Sequence, residues 1–407
     1  MPAKAHLENA GSQSLGSQVV RHLKSQRRFW LKVHLYSGLS LGLVLSVIGL
    51  TGSILVFWME IDEFLNPALI KVRPKEGGAA TYRSVQEMVD SARASLPPGA
   101  FVEVFDWPRH DGAAADCEVA IPNAMARAID HYDVFVDPYT ARVTGKRLWY
   151  SADNWWNNSF LGIIFKIHYA LMIRSWGVYL VAILSLFFLA LTLTGLYVWL
   201  PLSGKWRQAL TLAWPNSYPR WNYEIHKATG FYACLILMIV LTSGIYLDAP
   251  DQFLWVLEHF SKASRPAVPL IQQPEKLPLT LDTAVAAVQQ NFPRGKPYYM
   301  SLASDPKSIE LTQMVPVGLG FMSRRIVEVD LSTGAIRHVS DPLHATFSTG
   351  LTQWQWPLHS GKVFGWPGRI MVFLSGLVCP VLLVTGFNRW LWKKRAHLRQ
   401  RAHQTRG

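Results

Sequence analysis

Hydrophobic positions in this chain follow two patterns, long uncharged runs and short alternating ones. Residues 33–58, 176–200, 228–247 and 370–387 carry no formal charge, and a membrane-spanning helix needs about 20 such residues. The pattern predicts four spanning helices. The last run is the shortest, and Pro380 inside it predicts a kink. The first run is too long for a signal-peptide core and lacks a small-residue cleavage site, so it reads as a retained helix. Between the first two runs, residues 82–96 predict a short amphipathic helix, and residues 101–105, 117–121, 132–136 and 141–148 predict strands. The interval between the last two runs repeats that order. It has a helix over 282–291, then strands near 298–302, 308–313, 325–329 and 335–339. Each interval predicts a small α+β unit with its own antiparallel sheet.

The repetition extends into the spans. His34, Gly38 and Gly52 match His226, Gly230 and Gly244 at an offset of 192. His168, Thr194-Gly195 and Trp199 match His359, Thr385-Gly386 and Trp390 at 191, and Asp137-x-x-Thr140 matches Asp330-x-x-Thr333 at 193. A two-helix unit returns the chain to its starting side, so the duplication is parallel rather than inverted. The predicted division is a basic tail (1–32), a first span (33–59), a first α+β domain (60–158) and a second span with an extension (159–200). There follow a loop (201–225), a third span (226–248), a second α+β domain (249–358), a fourth span with an extension (359–392) and a basic tail (393–407).

Composition agrees with a membrane protein: half of the residues are hydrophobic and 16% charged, against about a quarter charged in soluble domains. The net charge of +13 is partitioned. Residues 1–33, 200–227 and 387–407 together hold 17 Lys and Arg against two acids, while the rest holds 23 against 25. The positive-inside rule places those three segments, and both termini, in the cytoplasm. That partition removes most of the support for nucleic-acid binding; the expected partners include membrane lipid, and the basic face is the topology signal or a dock for an acidic protein. The two α+β domains then lie outside the cytoplasm. Cys117, Cys234 and Cys379 have no CxxC spacing, so neither a disulfide framework nor a cysteine metal site is expected.

Topology pairs the four repeated histidines by depth. His34 and His226 open spans that start inside, and His168 and His359 precede spans that start outside. A single histidine at a helix start reads as an interfacial anchor. Four at repeat-related positions point to axial ligation of haem iron, one pair at each face, since two imidazoles filling both axial positions suit electron transfer. Gly38 and Gly230 lie four residues after their histidines on the same helix face, where a missing side chain lets a porphyrin approach the backbone; close helix packing is the alternative. Candidate cations for the propionates are Arg27, Arg28 and Lys32 inside and Lys166, Arg174 and Arg369 outside, each equally an interfacial anchor. Trp155, Trp156, Trp354 and Trp356 are candidate walls, and His344 is an alternative ligand. If the second and fourth helices run on unbroken, His168 and His359 stand about 12 and 16 Å beyond the apolar runs, at headgroup depth or above.

The WLKVH34 opening, TGSILVFWMEID at 51–62, the turns VFVDPYTARVTG and VEVDLSTG, and the closing WPLHSG and TGFNRW together resemble the PepSY-associated transmembrane proteins, often labelled iron-regulated membrane proteins. The resemblance runs from about residue 27 to 395, and within the family it is nearest the siderophore reductases of the FoxB type. It implies an inner-membrane protein with four spans, two b haems and two periplasmic PepSY-like domains that reduces a ferric siderophore. Reduction frees the metal because hard oxygen donors match Fe(III) far better than Fe(II). No GxGxxG follows a strand, so the electron donor is expected to be separate, a quinol or a cytoplasmic flavoprotein. Two other readings keep the fold: a membrane-anchored binding or regulatory module, for which the repeated histidines have no use, and a siderophore or iron transporter, against which the spans carry no acid.

Overall fold

The computed structural model describes residues 3–123, 128–151, 158–173, 176–201, 204–261, 280–302, 307–318 and 321–404, with side chains from residue 25 onward. The first half runs α1 (Ala3–Val56), α2 (Trp58–Leu65), α3 (Pro67–Ile70), α4 (Val85–Ala94), β1 (Phe101–Asp106), β2 (Ala115–Asn123), β3 (Ala128–Asp137), β4 (Arg142–Tyr150), α5 (Phe160–Ala170) and α6 (Trp176–Trp199). After α7 (Trp206–Leu210), the second half runs α8 (Tyr218–Asp248), α9 (Pro250–Glu258), α10 (Leu281–Asn291), β5 (Lys296–Ser301), β6 (Ser308–Gly318), β7 (Phe321–Asp330), β8 (Ile336–Ser340), α11 (Phe347–His359) and α12 (Gly365–Gln404).

Among the described residues, four helical segments are long and apolar enough to cross a membrane: Ser25–Val56, Trp176–Trp199, Tyr218–Asp248 and Lys362–Arg401. Their outer faces are apolar, with Leu43, Ile183, Leu186, Phe187, Leu235 and Leu374 exposed, as a lipid-facing bundle requires. Inside, Phe188, Leu237, Leu241 and Cys379 pack together. Close packing of α1 on α12 is made by Gly49 and Gly376, each of which would drive an added Cβ into the other's carbonyl, and by Ser53 Oγ donating to Phe373 O at 2.7 Å. Pro380 lies within an uninterrupted α12 rather than at a break.

All eight predicted strands form, but not as two sheets. The strand order is β4-β3-β2-β1-β5-β6-β7-β8, with β1 and β5 paired antiparallel through Val104–Ser301, Phe105–Met300 and Asp106–Tyr299. This corrects the expectation of two separate α+β domains. Each four-stranded half would leave β1 or β5 as an open edge, and joining them removes both edges. The core is shared too: Val85, Met88 and Val89 of α4 and Leu281, Ala284 and Val288 of α10 belong to one cluster with Phe105, Met300, Leu311 and Val327. The Asp282 carboxylate accepts from Val85 N and Gln86 N, and Gln86 Oε1 accepts from Leu281 N, so each helix start is capped by the other. The matched Asp-x-x-Thr motifs are the β3–β4 and β7–β8 turns. Asp137 accepts from Tyr139 N and Thr140 Oγ1, and Asp330 from Ser332 N and Thr333 N. Ala141 and Gly334 close these turns with positive φ.

The bundle is tied to the sheet by charge. Arg147 on β4 binds Asp62 on α2 and Asp133 on β3, and both carboxylates are buried. Removing one member of such a buried network costs about 3–5 kcal/mol. Arg147→Met is therefore expected to lower unfolding stability by that order in denaturant titrations of the full chain, and a loss under about 1 kcal/mol would contradict the role given to it. Burial away from water raises the Asp106 carboxyl to about 6. An unfolded Asp titrates near about 3.9, so between these values the folded state binds more protons than the unfolded one. This contribution favours folding at low pH and is lost as pH rises through that window. A denaturation midpoint that falls from pH 4 to 6.5, with the fall reduced in Asp106→Asn, is the expected result.

Candidate functional site

The histidines meet as the topology argument requires. The rings of His34 on α1 and His226 on α8 have centroids 6.3 Å apart, and those of His168 on α5 and His359 on α11 are 6.0 Å apart. Each pair draws one ring from each half of the chain. The first pair lies toward the basic tails and the second toward the sheet.

Each ring is received by a hydroxyl residue followed by glycine on another helix. His34 Nδ1 lies 3.2 Å from Leu191 O and 3.3 Å from Thr194 Oγ1. His168 Nδ1 lies 3.0 Å from Ile48 O and 3.3 Å from Thr51 Oγ1. His359 Nδ1 lies 3.0 Å from Val240 O and 3.1 Å from Ser243 Oγ, and His226 Nδ1 lies 2.8 Å from Thr385 Oγ1. The glycines that follow, Gly195, Gly52, Gly244 and Gly386, leave room for the rings. A Cβ there would stand 2.9, 2.7, 3.3 and 3.4 Å from the Cε1 of His34, His168, His359 and His226. The carbonyls that meet Nδ1 belong to the residues four before Gly195, Gly52 and Gly244, where the bare helix face admits a ring edge-on. A carbonyl oxygen can only accept, so Nδ1 carries the proton and Nε2 keeps its lone pair. That is the arrangement of a histidine poised to ligate metal, with its other nitrogen held by the protein.

The sheet-side pair is not raised above the apolar runs. α5 ends at Leu171 and Met172, both left-handed (φ 49° and 57°), and lies against α1 instead of continuing into α6. His359 likewise precedes a break at Gly361 and Gly365, with φ of 71° and 59°. His168 is thereby level with Ile48–Thr51 of α1, and His359 with Val240–Ser243 of α8. The headgroup-depth expectation assumed unbroken helices and is corrected. Both α1 and α8 then place the two pairs 14–17 residues apart, about 21–25 Å along the axis.

Gly38 and Gly230 do not serve helix packing. An added Cβ meets only Leu191 Cδ1 at 3.9 Å or Leu382 Cδ2 at 3.5 Å. Arg369 is not free for a propionate: it pairs with Glu60, donates to Val56 O at 2.8 Å and lies over Phe57 and Trp366. Lys166 stands over Tyr150 at 3.9 Å, and Arg27 donates to Val198 O at 2.7 Å, whereas Arg28 and Lys32 are exposed. Arg174, Trp155 and Trp156 lie outside the described residues. Trp354 and Trp356 lie on α11 with His359, and His344 is exposed on a turn before α11. The roles of Thr51, Ser243, Thr194 and Thr385 were not read from sequence. The only sign of them was the repeat match of the Thr-Gly pairs.

Two nitrogens are too few to hold an ion alone, so the pairs fit a metal that brings its other ligands. Two imidazoles on opposite sides of one metal, each Nε2 about 2 Å from it and about 1.1 Å from its ring centre, would have centroids about 6.2 Å apart. The observed separations match. Trp199 Nε1, one turn past Gly195, is a buried donor with no hydrogen-bond partner at the tail-side end.

No curated protein matches the chain. The sequence profile of the PepSY-associated TM region matches residues 31–394, so this four-helix membrane protein belongs to the PepSY-associated TM family.

Proposed function

We propose that this protein is a two-haem electron carrier of the bacterial inner membrane that reduces a ferric siderophore in the periplasm and releases Fe(II). The observation that carries it is the geometry of the two cross-helix histidine pairs, each at metal-sharing separation with every Nδ1 engaged. His34 and His226 would hold one b haem toward the cytoplasm, and His168 and His359 the other toward the periplasm. When bound, haem supplies a one-electron couple at each level. The chain's own part is to fix the imidazoles, exclude water with the bundle's apolar packing, and present the two sites at opposite ends of the same helices. In this reading the tails and the 201–225 loop are cytoplasmic and the shared sheet is periplasmic, as the basic segments imply. The matched halves then descend from a parallel duplication. The electron donor is a separate quinol or cytoplasmic flavoprotein, and the acceptor docks on the sheet side. The anchored-module and transporter readings leave the four paired rings without a purpose.

The test is anaerobic reoxidation. Dithionite-reduced protein freed of excess reductant is expected to lose its reduced bands on addition of a ferric hydroxamate siderophore, with Fe(II) appearing in a colorimetric trap. Reduced bands that persist against several ferric siderophores would remove the reductase assignment.

A further inference from the structure

One face of the sheet packs on α4 and α10, and the other carries acids toward the bundle. On β2, Asp116 and Glu118 alternate with Cys117 and Val119, which lie in the core. Their partners directly across the ladder are acids too: Asp106 on β1 opposite Asp116, and Asp133 on β3 opposite Glu118. Like charges so placed destabilise a sheet. Arg147 on β4 answers Asp133, but Asp116 Oδ1 is buried with no hydrogen-bond partner among the described residues. Asp116, Glu118 and Asp133 line a cavity of about 260 Å³ between sheet and bundle. α5 supplies the facing wall with Phe165, Lys166 and Tyr169, which bracket His168. Lys166 is the cation on that wall, held over the rings of Tyr150 and Tyr169. Burial, and then the charges of Asp133, Asp106 and Glu118, raise the Asp116 carboxyl well above the ordinary range against the pull of Arg147. Partial withdrawal from water, with the charges of Asp106, Asp133 and Glu103, raises Glu118 to about 7. Glu118 is nonetheless exposed, so it exchanges protons with solvent. A neutral carboxyl, a cation and an exposed second acid around one cavity fit an anionic oxygen that needs a proton.

We infer that this cavity receives an anionic donor oxygen of the ferric ligand, and that Asp116, resupplied by Glu118, protonates that oxygen as the iron is reduced. This rests on the reductase reading above. At about 260 Å³ the cavity takes one arm of a siderophore rather than the whole molecule. One electron, drawn originally from the quinol or flavoprotein donor, turns Fe(III) into Fe(II). The weakened Fe–O bond then breaks with its electron pair left on oxygen. An O–H bond forms with the Asp116 proton, and the carboxylate left behind is reprotonated from water by way of Glu118. Protonation keeps the freed oxygen from binding the iron again.

The experiment compares two one-electron acceptors on full-length, haem-loaded, dithionite-reduced protein. A ferric hydroxamate has oxygens that need protons on release, whereas ferricyanide keeps its ligands and needs none. Asp116→Asn is expected to slow reoxidation by the hydroxamate about a hundredfold at about pH 7, and to leave reoxidation by ferricyanide at the wild-type rate. With wild-type protein the hydroxamate rate is expected to fall as pH rises through about 7, where Glu118 gives up its proton. Glu118→Gln is expected to be slow throughout and to lack that inflection. A readout apart from activity is the infrared spectrum of the full chain at about pH 7, in which Asp116→Asn is expected to reduce the protonated-carboxyl band. If Asp116→Asn cannot be purified, Glu118→Gln, a change at an exposed side chain, carries the test. Wild-type hydroxamate rates in Asp116→Asn, or in Glu118→Gln where that variant stands alone, overturn the inference. So does an equal slowing with ferricyanide, or a carboxyl band that Asp116→Asn leaves intact. A wild-type protein that ferricyanide reoxidises and ferric hydroxamates do not fails the larger reading instead.

Discussion

Alanine at His34 and alanine at His226 are each expected to remove one and the same haem, leaving about one per chain. Alanine at His168 or His359 is expected to remove the other. The pairing follows from contacts that cross the molecule: His34 stands on α1 and meets a ring on α8, while His168 stands on α5 and meets a ring on α11. A haem that loses one axial imidazole keeps a single protein bond and an open position, and second-ligand loss of this kind converts a low-spin spectrum to a high-spin or empty one. Quantified pyridine haemochromes and low-temperature electron paramagnetic resonance of the four variants check this. The pairing would be wrong if His34→Ala and His226→Ala depleted different signals.

Gly52→Ala is expected to be nearly as damaging to the sheet-side site as loss of His168 itself. The added Cβ would lie 2.7 Å from His168 Cε1, closer than carbon atoms pack, and α1 cannot retreat because it lies tight against α12 at Gly49. The ring must swing away, which breaks its bond to Ile48 O and misdirects Nε2. Gly195→Ala, at 2.9 Å from His34, is expected to do the same to the tail-side site. Gly244→Ala and Gly386→Ala meet their rings at 3.3 and 3.4 Å, which a few tenths of an ångström of movement relieves. They are expected to retain both haems with shifted bands. Haem content measured across the four variants should fall into those two groups, and a Gly386→Ala that loses its site while Gly52→Ala keeps both would contradict the seat geometry.

Much of this site was legible in the sequence because residues recurring at a near-constant offset supply an internal comparison. Residue offsets of 191–193 paired His34 with His226 and His168 with His359 before any contact was known, and the rings do meet. The Asp137 and Asp330 turns and all eight strands were equally readable, since their signals are local. What failed was non-local. The β1–β5 pairing joins residues nearly 200 apart, and nothing in either strand says which edge it seeks. Depth failed for a different reason: Leu171 and Met172 adopt left-handed backbone that their side chains disfavour, so no residue-level signal marked the break between α5 and α6. In the second half the corresponding break falls at Gly361 and Gly365, where glycine accepts the positive φ without strain. Arg369 was assigned by charge and location alone, and its partner Glu60, on α2, becomes visible only once α12 packs beside α1. The hydroxyls of Thr51, Thr194, Ser243 and Thr385 were hidden because each serves a histidine on another helix.

The most direct test of the central claim is a haem count on the detergent-purified chain, with absorption spectra oxidised and dithionite-reduced. Two bis-histidine sites predict about two b haems per chain and sharp low-spin reduced bands. A colourless protein that cannot be reconstituted with haem would contradict the claim, and would leave the paired histidines without the metal that their geometry fits.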